Sequence, residues 1–346
     1  MGLETILIKL QDGGDSSIFS GMDWRSVAGF LPQSGVIIIT DHNVRDIYGG
    51  DFPPFPVISV LPGEKSKSLE TIAGIVEEML KAGIGRDGFV LGIGGGVVCD
   101  IAGFVASVYM RGVRFGFVST TLLSQVDAST GGKNGVNSKD AKNIIGVFNN
   151  PGFVICDQAM LKTLSDDEYR SGLSELVKTA LIKDSGLLSL IEEHTEEIIN
   201  RDTQTLATLI ARAISIKAGI VESDMREKGE RRLLNFGHTL GHAAELEYSV
   251  PHGKAVAWGM LQAMLFSVEK GFFKMEELER VSALFRRLQV LPVQSIDHEI
   301  VAGRIIYDKK RTGKEINFIF LENPGNAFSA RVSLEELAGF LMKSGT

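Results

Sequence analysis

The chain has 346 residues, enough for two domains of ordinary size, and its 44% hydrophobic and 23% charged residues with 39 glycines are the composition of a globular enzyme rich in tight turns. A formal net charge of −7 excludes a general nucleic-acid binder, whose phosphate contacts need a basic face, so any anion site must be local. The two cysteines, Cys99 and Cys156, lack CxxC spacing, no run reaches about eighteen uninterrupted apolar residues, and Met1-Gly2-Leu3-Glu4 lacks a signal pattern; the expectation is a cytoplasmic enzyme with buried thiols and no membrane partner.

Val36-Ile37-Ile38-Ile39-Thr40 is a β-branched run closed by Asp41-His42-Asn43, the pattern of a buried parallel strand ending in a polar loop. Residues 57–61 repeat it more weakly, and residues 69–80 have helical apolar spacing. Residues 89–93 read as a third strand. It runs into Gly94-Gly95-Gly96, after which residues 97–110 are helical, an order that aims backbone N–H groups and a helix N-terminus at a pyrophosphate. Val97 stands where G-x-G-x-x-G wants its last glycine, so nucleotide binding and a merely tight turn both stay open at this point. Asp100, one turn in, is placed to cap an amide or meet a ribose hydroxyl.

A glycine-rich stretch over residues 125–137 carries Asp127 and Lys133 and is extended by Lys142-Asn143; it reads as a ligand-approaching loop or a solvated one. Asn149-Asn150-Pro151-Gly152 signals a turn, and residues 153–156 form a last short strand that closes the sheet. From about Lys162 the pattern is helical, over residues 168–183, 187–200, 203–221, 235–246 and 252–269, with a late strand or hairpin arm at residues 316–321. The expected organisation is an α/β Rossmann-like domain over residues 1–158 and an all-α domain over residues 159–346, with the active site in the cleft between them.

Three clusters bear chemistry. Glu175 and Lys178 at i, i+3 share one helix face with apolar neighbours, which favours a partly buried functional pair over a surface one. Residues 235–252 hold three of the six histidines, His238, His242 and His252, near Arg231, Arg232 and the more distant Lys217, a combination that suits a metal site facing an anionic substrate. Spacing alone selects His238 with His242 at i, i+4, and two solvent-facing histidines are the bland alternative. Tyr307-Asp308-Lys309-Lys310-Arg311 is a basic run that a solvated turn would also explain.

Gly94-Gly95-Gly96-Val97 with Asp100, Arg111-Gly112, Thr120-Thr121-Leu122-Leu123 through Asp127 to Gly131-Gly132-Lys133, Glu175 with Lys178, Leu233-Leu234-Asn235-Phe236-Gly237-His238-Thr239, Gly241-His242, His252-Gly253 and Asp308-Lys309-Lys310 follow one another across residues 36–320. This ordered set resembles the 3-dehydroquinate synthase family. The resemblance implies a Rossmann-like domain followed by a helical one, and conversion of 3-deoxy-D-arabino-heptulosonate 7-phosphate to 3-dehydroquinate and phosphate in the shikimate pathway. In that chemistry NAD takes a hydride from the carbon bearing a substrate hydroxyl, whose oxygen a divalent metal would polarise as its proton leaves, phosphate is eliminated, the hydride returns, and ring opening with an intramolecular aldol step closes the carbocycle.

By the same resemblance, Glu175, His238 and His252 would ligate zinc or cobalt, displacing the pair that spacing suggests. Asp41, Asn43, Glu64, Lys67, Gly95, Gly96, Val97, Asp100, Thr120, Thr121 and Asp127, with Lys133 and Lys142, fall around NAD. Catalytic roles fall to Asp127, Lys133, Lys178, Lys217, Glu227, Arg231, Asn235 and His242, and substrate contacts to Arg111, Asn143 and Lys309 or Lys310. Arg111 matches an arginine that reaches the neighbouring subunit's phosphate site, which implies a homodimer. A substrate with both a carboxylate and a phosphate explains why Lys133, Lys217, Arg231 and Lys309 or Lys310 would be gathered.

Ser119 and Ser165 depart from the family pattern where proline is usual, and Glu230 puts a negative charge next to Arg231. Asn134-Gly135 and Lys254 are also less usual. Two alternatives remain: a related cyclase making deoxy-inosose or valiolone rings, and a metal-dependent glycerol or alcohol dehydrogenase that would release its NADH.

Overall fold

The structure, a computed structural model, describes residues 4–9, 15–138, 141–312 and 314–344, with the backbone alone at residues 141 and 308–312. Its strands are β1 (Glu4–Ile8), β2 (Ser16–Ser20), β3 (Val36–Asp41), β4 (Val57–Val60), β5 (Phe89–Gly94), β6 (Arg114–Ser119), β7 (Lys133–Ser138), β8 (Ala141–Phe148), β9 (Phe153–Cys156), β10 (Glu315–Asn323) and β11 (Asn326–Ser333). The α-helices are α1 (His42–Tyr48), α2 (Leu69–Lys81), α3 (Gly96–Val108), α4 (Asp166–Lys183), α5 (Ser185–Glu193), α6 (Thr195–Ile199), α7 (Thr203–Ser223), α8 (His238–Tyr248), α9 (His252–Glu269), α10 (Met275–Leu288), α11 (His298–Thr312) and α12 (Leu334–Ser344).

They form two compact units, Met1–Leu164 with Thr203–Met225, and Ser165–Asp202 with Arg226–Thr346. A single cut at residue 158 does not describe these units. Apolar spacing identifies α7 as a helix but not the core it joins; it packs on β1 and on the π-helical turn Ser124–Ala128 of the first unit. By length and composition α7 could cross a bilayer, with a mean hydropathy of 1.2, yet 56% of that window is buried inside the structure and the helix carries Arg212 and Lys217, so its apolar side is core.

The first unit is built on a seven-stranded sheet in the order β1-β2-β9-β6-β5-β3-β4, parallel except where β1 pairs with β2. In β3, Val36, Ile37, Ile38 and Ile39 are all buried, as a parallel strand covered on both faces requires. β9 does not close the sheet: it lies between β2 and β6, and the short β1–β2 hairpin extends the sheet beyond it. Nor is the 125–137 stretch a loop. Its second half is β7, paired with β8 so that Gly135 faces Gly146, and a Cβ on Gly135 would sit 2.8 Å from the Ile145 carbonyl oxygen. The glycines that mimic a loop in the sequence are what permit this close ladder.

The second unit is helical with one antiparallel hairpin, β10–β11, which contains the expected late strand. The helix expected over residues 187–200 breaks at His194 into α5 and α6, and the basic run at residues 307–311 continues α11. Phe266 of α9 stacks on Phe340 at 4.6 Å and tilts against Phe320, which ties the hairpin and α12 to the central helix. Ser165 explains its own departure from proline, since its hydroxyl caps α4 by accepting from the Glu168 N–H at 3.4 Å.

Candidate active site

Three helices of the second unit carry the metal-type ligands. Glu175 lies midway along α4, and His238 and His252 are the first residues of α8 and α9. Side chains of ordinary size would hold these helices about 8–10 Å apart. Here glycines remove them: a Cβ on Gly241 would lie 2.9 Å from the Ala255 carbonyl oxygen, and one on Gly253 would overlap the Ser171 backbone. Gly253→Ala should therefore cost about 3 kcal/mol or more, because the obstructing atoms are main chain and cannot rotate away. A thermal melt that left Tm at the wild-type value would contradict this packing.

The approach leaves Glu175 Oε1 3.6 Å from His238 Nε2 and 3.5 Å from His252 Nε2. A tetrahedral zinc-type ion with bonds of about 2.1 Å separates its ligand atoms by roughly 3.4 Å, so the spacing fits one ion held by all three. Glu175 is fully buried, and Lys178, equally buried, forms an ion pair with Oε2 while Oε1 faces the two rings. A buried carboxylate oxygen faced by two imidazole nitrogens is a donor set suited to a shared divalent cation. Both rings are turned to present Nε2. His238 Nδ1 is 3.2 Å from the Phe236 carbonyl and His252 Nδ1 is 3.1 Å from Glu245 Oε2, and since both partners only accept, each Nδ1 carries the hydrogen. Glu245 was not singled out from the sequence, although it lies seven residues after His238 on the same helical face.

The charge states follow from these neighbours. Burial, reinforced by the Lys178 ammonium, pushes His238 down to about 3, so it is neutral. Burial opposes ionisation of Glu175, but Lys178 and the two histidines outweigh it and hold the carboxyl well below its usual range. Burial likewise opposes charge on His252, but Glu175 and Glu245 outweigh it and raise it to about 9. At neutral pH, then, His252 alone holds a proton that an incoming ion must displace. Binding of a divalent ion at pH 7.5 should release close to one proton per chain, and the release should fade as pH rises through about 9, where His252 loses that proton unaided. Calorimetry in buffers of different ionisation enthalpy measures this directly; no buffer dependence would refute the assignment.

Around the cage, His242 is exposed on α8 with its ring centroid 5.1 Å from that of His238 and 5.8 Å from that of His252. Asn235 donates to the Glu227 carboxylate, and both line a cavity of about 580 Å³ with Arg226, Arg232, Glu315, Ile316 and Asn317. The β10 wall of this cavity leaves no mark in the sequence, because Glu315, Ile316 and Asn317 are distant in the chain from the other lining residues. Glu227 sits at φ 56, a left-handed conformation uncommon outside glycine. Arg231 is buried, whereas Glu230 turns to an ion pair with Lys183, so its charge is taken up there. Lys254 pairs with Asp167 at 2.7 Å. The side chains of Lys309 and Lys310 lie outside the described residues.

The first unit gathers the residues assigned to the nucleotide. Gly95 caps α3 without a side-chain bond, leaving the helix N-terminus lined by Thr121, whose Cγ2 a Cβ on Gly95 would approach to 2.8 Å, and by Ala128, whose Cβ lies 3.1 Å from one on Gly96. Thr120 N donates to the Gly94 carbonyl, so Val97 and Thr120 flank the same turn. Asp100 does not cap an amide: Lys67, itself buried, bridges it at 2.6 Å to Asn143 at 2.6 Å, and burial, partly offset by Lys67, pushes Asp100 up to about 6. Asn143 holds φ 53, and Glu64 accepts from Asn137 at 3.0 Å. Asp41 caps α1 through the Val44 N–H, with Asn43 exposed in the first turn. Lys217 of α7 is buried and donates to both the carboxylate and the carbonyl of Asp127. Lys133 and Lys142 are exposed on the β7–β8 hairpin, and Arg111 is exposed at φ 72 after Met110 at φ 48.

A parallel-sheet unit with a glycine turn at a helix N-terminus, and a helical unit with a glutamate and two histidines around a cation-sized gap, define a dehydroquinate synthase-like cyclase fold. A solved structure of 2-epi-5-epi-valiolone synthase from Streptomyces hygroscopicus subsp. jinggangensis, with NAD+ and Zn2+ bound, matches it with a TM-score of 0.85 at 27% identity over 96% of each chain. Within that class the sequence is specific: residues 57–171 match the 3-dehydroquinate synthase N-terminal family and residues 172–311 the 3-dehydroquinate synthase C-terminal family. The 3-dehydroquinate synthase of Geotalea uraniireducens is 40% identical over 80% of this chain and 78% of its own length, and that of Alkaliphilus metalliredigens is 36% identical over 90% and 93%. The chain belongs to the 3-dehydroquinate synthase family.

Proposed function

We propose that the chain is a metal- and NAD-dependent carbon–oxygen lyase that turns 3-deoxy-D-arabino-heptulosonate 7-phosphate into 3-dehydroquinate and phosphate, as a cytoplasmic homodimer. The observation that carries the metal dependence is the buried Glu175 carboxylate facing two Nε2 atoms at 3.5 and 3.6 Å. When bound, a zinc or cobalt ion supplies Lewis acidity and NAD a reversible hydride acceptor. The chain's own groups do the rest. Lys178 keeps Glu175 ionised; His242, exposed beside the cage, is positioned to move a proton; Glu227 and Asn235 orient substrate hydroxyls from the cavity wall; and Arg231 holds an anionic group. Asp127 and Lys217 are assigned to the substrate as a mutually neutralised pair, and Arg111 to the phosphate of a second copy.

Phosphate release from the seven-carbon substrate, measured with trace NAD and with or without a chelator, tests this reading. Many turnovers per NAD, abolished by the chelator, are expected. NADH accumulating in step with product would instead establish a dehydrogenase.

A further inference from the structure

His238, His242 and Glu245 stand at i, i+4 and i+7 of α8, one stripe facing the first residue of α9. The two ligand rings are held differently. His238 is fixed by the Phe236 carbonyl, a backbone group, whereas His252 is fixed by a side chain, the Glu245 carboxylate, 3.1 Å from Nδ1. The opposite ring nitrogen, Nε2, is the one 3.5 Å from Glu175 Oε1. His252 is a third exposed and begins its helix, and on the Nδ1 side of the ring the Glu245 carboxylate is its hydrogen-bond partner. Glu245 is well shielded, with its side chain 13% exposed.

We infer that Glu245 is a positioning residue for the cation cage: it fixes the His252 tautomer with the Nδ1 hydrogen toward itself, aims Nε2 at Glu175 and His238, and by its negative charge makes that nitrogen a stronger donor. The inference rests on the proposed metal site. The same atoms have one other use, because His242, Glu245 and His252 can also group their ligand atoms around a second ion.

The test is metal affinity of the full chain, stripped with a chelator and titrated with Zn2+ against a chromophoric competitor, with the visible spectrum of the Co2+ form as a report on ligand geometry. Glu245→Ala should weaken affinity 10- to 100-fold and alter the Co2+ spectrum. Glu245→Gln, whose amide oxygen still accepts the Nδ1 hydrogen, should restore much of the geometry but less of the affinity; it also carries the test if the alanine variant does not fold. His242→Ala should leave the affinity unchanged. Wild-type affinity in both Glu245 variants would overturn the inference while leaving the cage intact. Two ions in the wild type, with Glu245→Ala and His242→Ala each losing one, would make Glu245 a ligand and overturn it too. A wild-type chain that binds no ion would overturn the cage and the inference together.

Discussion

His252→Ala is expected to leave the purified chain without its divalent ion and to lower kcat/KM by at least about 1000-fold, since the loss of Lewis-acid stabilisation is worth several kcal/mol and about 4 kcal/mol corresponds to that factor. Among the three ligands, His252 gives the cleanest test. Glu175→Ala would leave Lys178 as a buried ammonium without its ion-pair partner, a change that costs about 3–5 kcal/mol of stability in its own right. His238 begins α8 in a tightly packed turn after Gly237, whose φ of 78 only glycine adopts readily. His252 is more exposed than either, so its removal perturbs the fold least. His242→Ala is the matched control: one turn from His238 and equally plausible by spacing, it should keep the ion as measured by elemental analysis and lose activity only through its proton-transfer role. An ion lost from the His242 variant and kept in the His252 variant would reverse the ligand assignment.

The difference between the pair that spacing selects and the proposed ligand set is physical. Helical periodicity relates residues of one helix, so it finds His238 with His242; it is blind to Glu175 and His252, which reach the cage from two other helices through contacts that Gly253 and Gly241 allow. The ordered family motifs carried the information that spacing lacked. The same divide runs through the fold. The β-branched run of β3 and the glycine turn after β5 were legible because burial on both faces and a strand-to-helix order leave strong local marks. The β1–β2 hairpin was not, since its strands are five residues each and Ser16–Ser20 is largely serine. Glu230 looked harmful to the anion site from its place beside Arg231, but adjacent residues on a turn point apart, and Lys183 receives its charge. α7 was legible as a helix but its packing on β1 was not, because an apolar face announces that it will be buried, not against what.

Arg231 offers the sharpest separation of this chain from cyclases that act on sugar phosphates without a carboxylate. Its side chain is buried in the Glu230–Asn235 turn rather than held in solvent, where a charged contact would contribute little. A planar fork of donors suits a carboxylate or a phosphate in two-point contact. Arg231→Ala should lose on the order of 2–4 kcal/mol of transition-state binding for the keto-acid phosphate, roughly 30- to 1000-fold in kcat/KM. Arg231→Lys keeps the charge but not the fork, so it should recover only part of this, which separates recognition from simple loss of a buried cation. The comparison that decides substrate class uses the unaltered enzyme: a hexose or heptulose phosphate without a carboxylate would leave part of the proposed cation set unmatched, and unmatched buried charge discriminates strongly. Turnover of such a sugar equal to that of the keto-acid phosphate, or indifference of both reactions to Arg231→Ala, would move the chain from the synthases to the cyclases beside them.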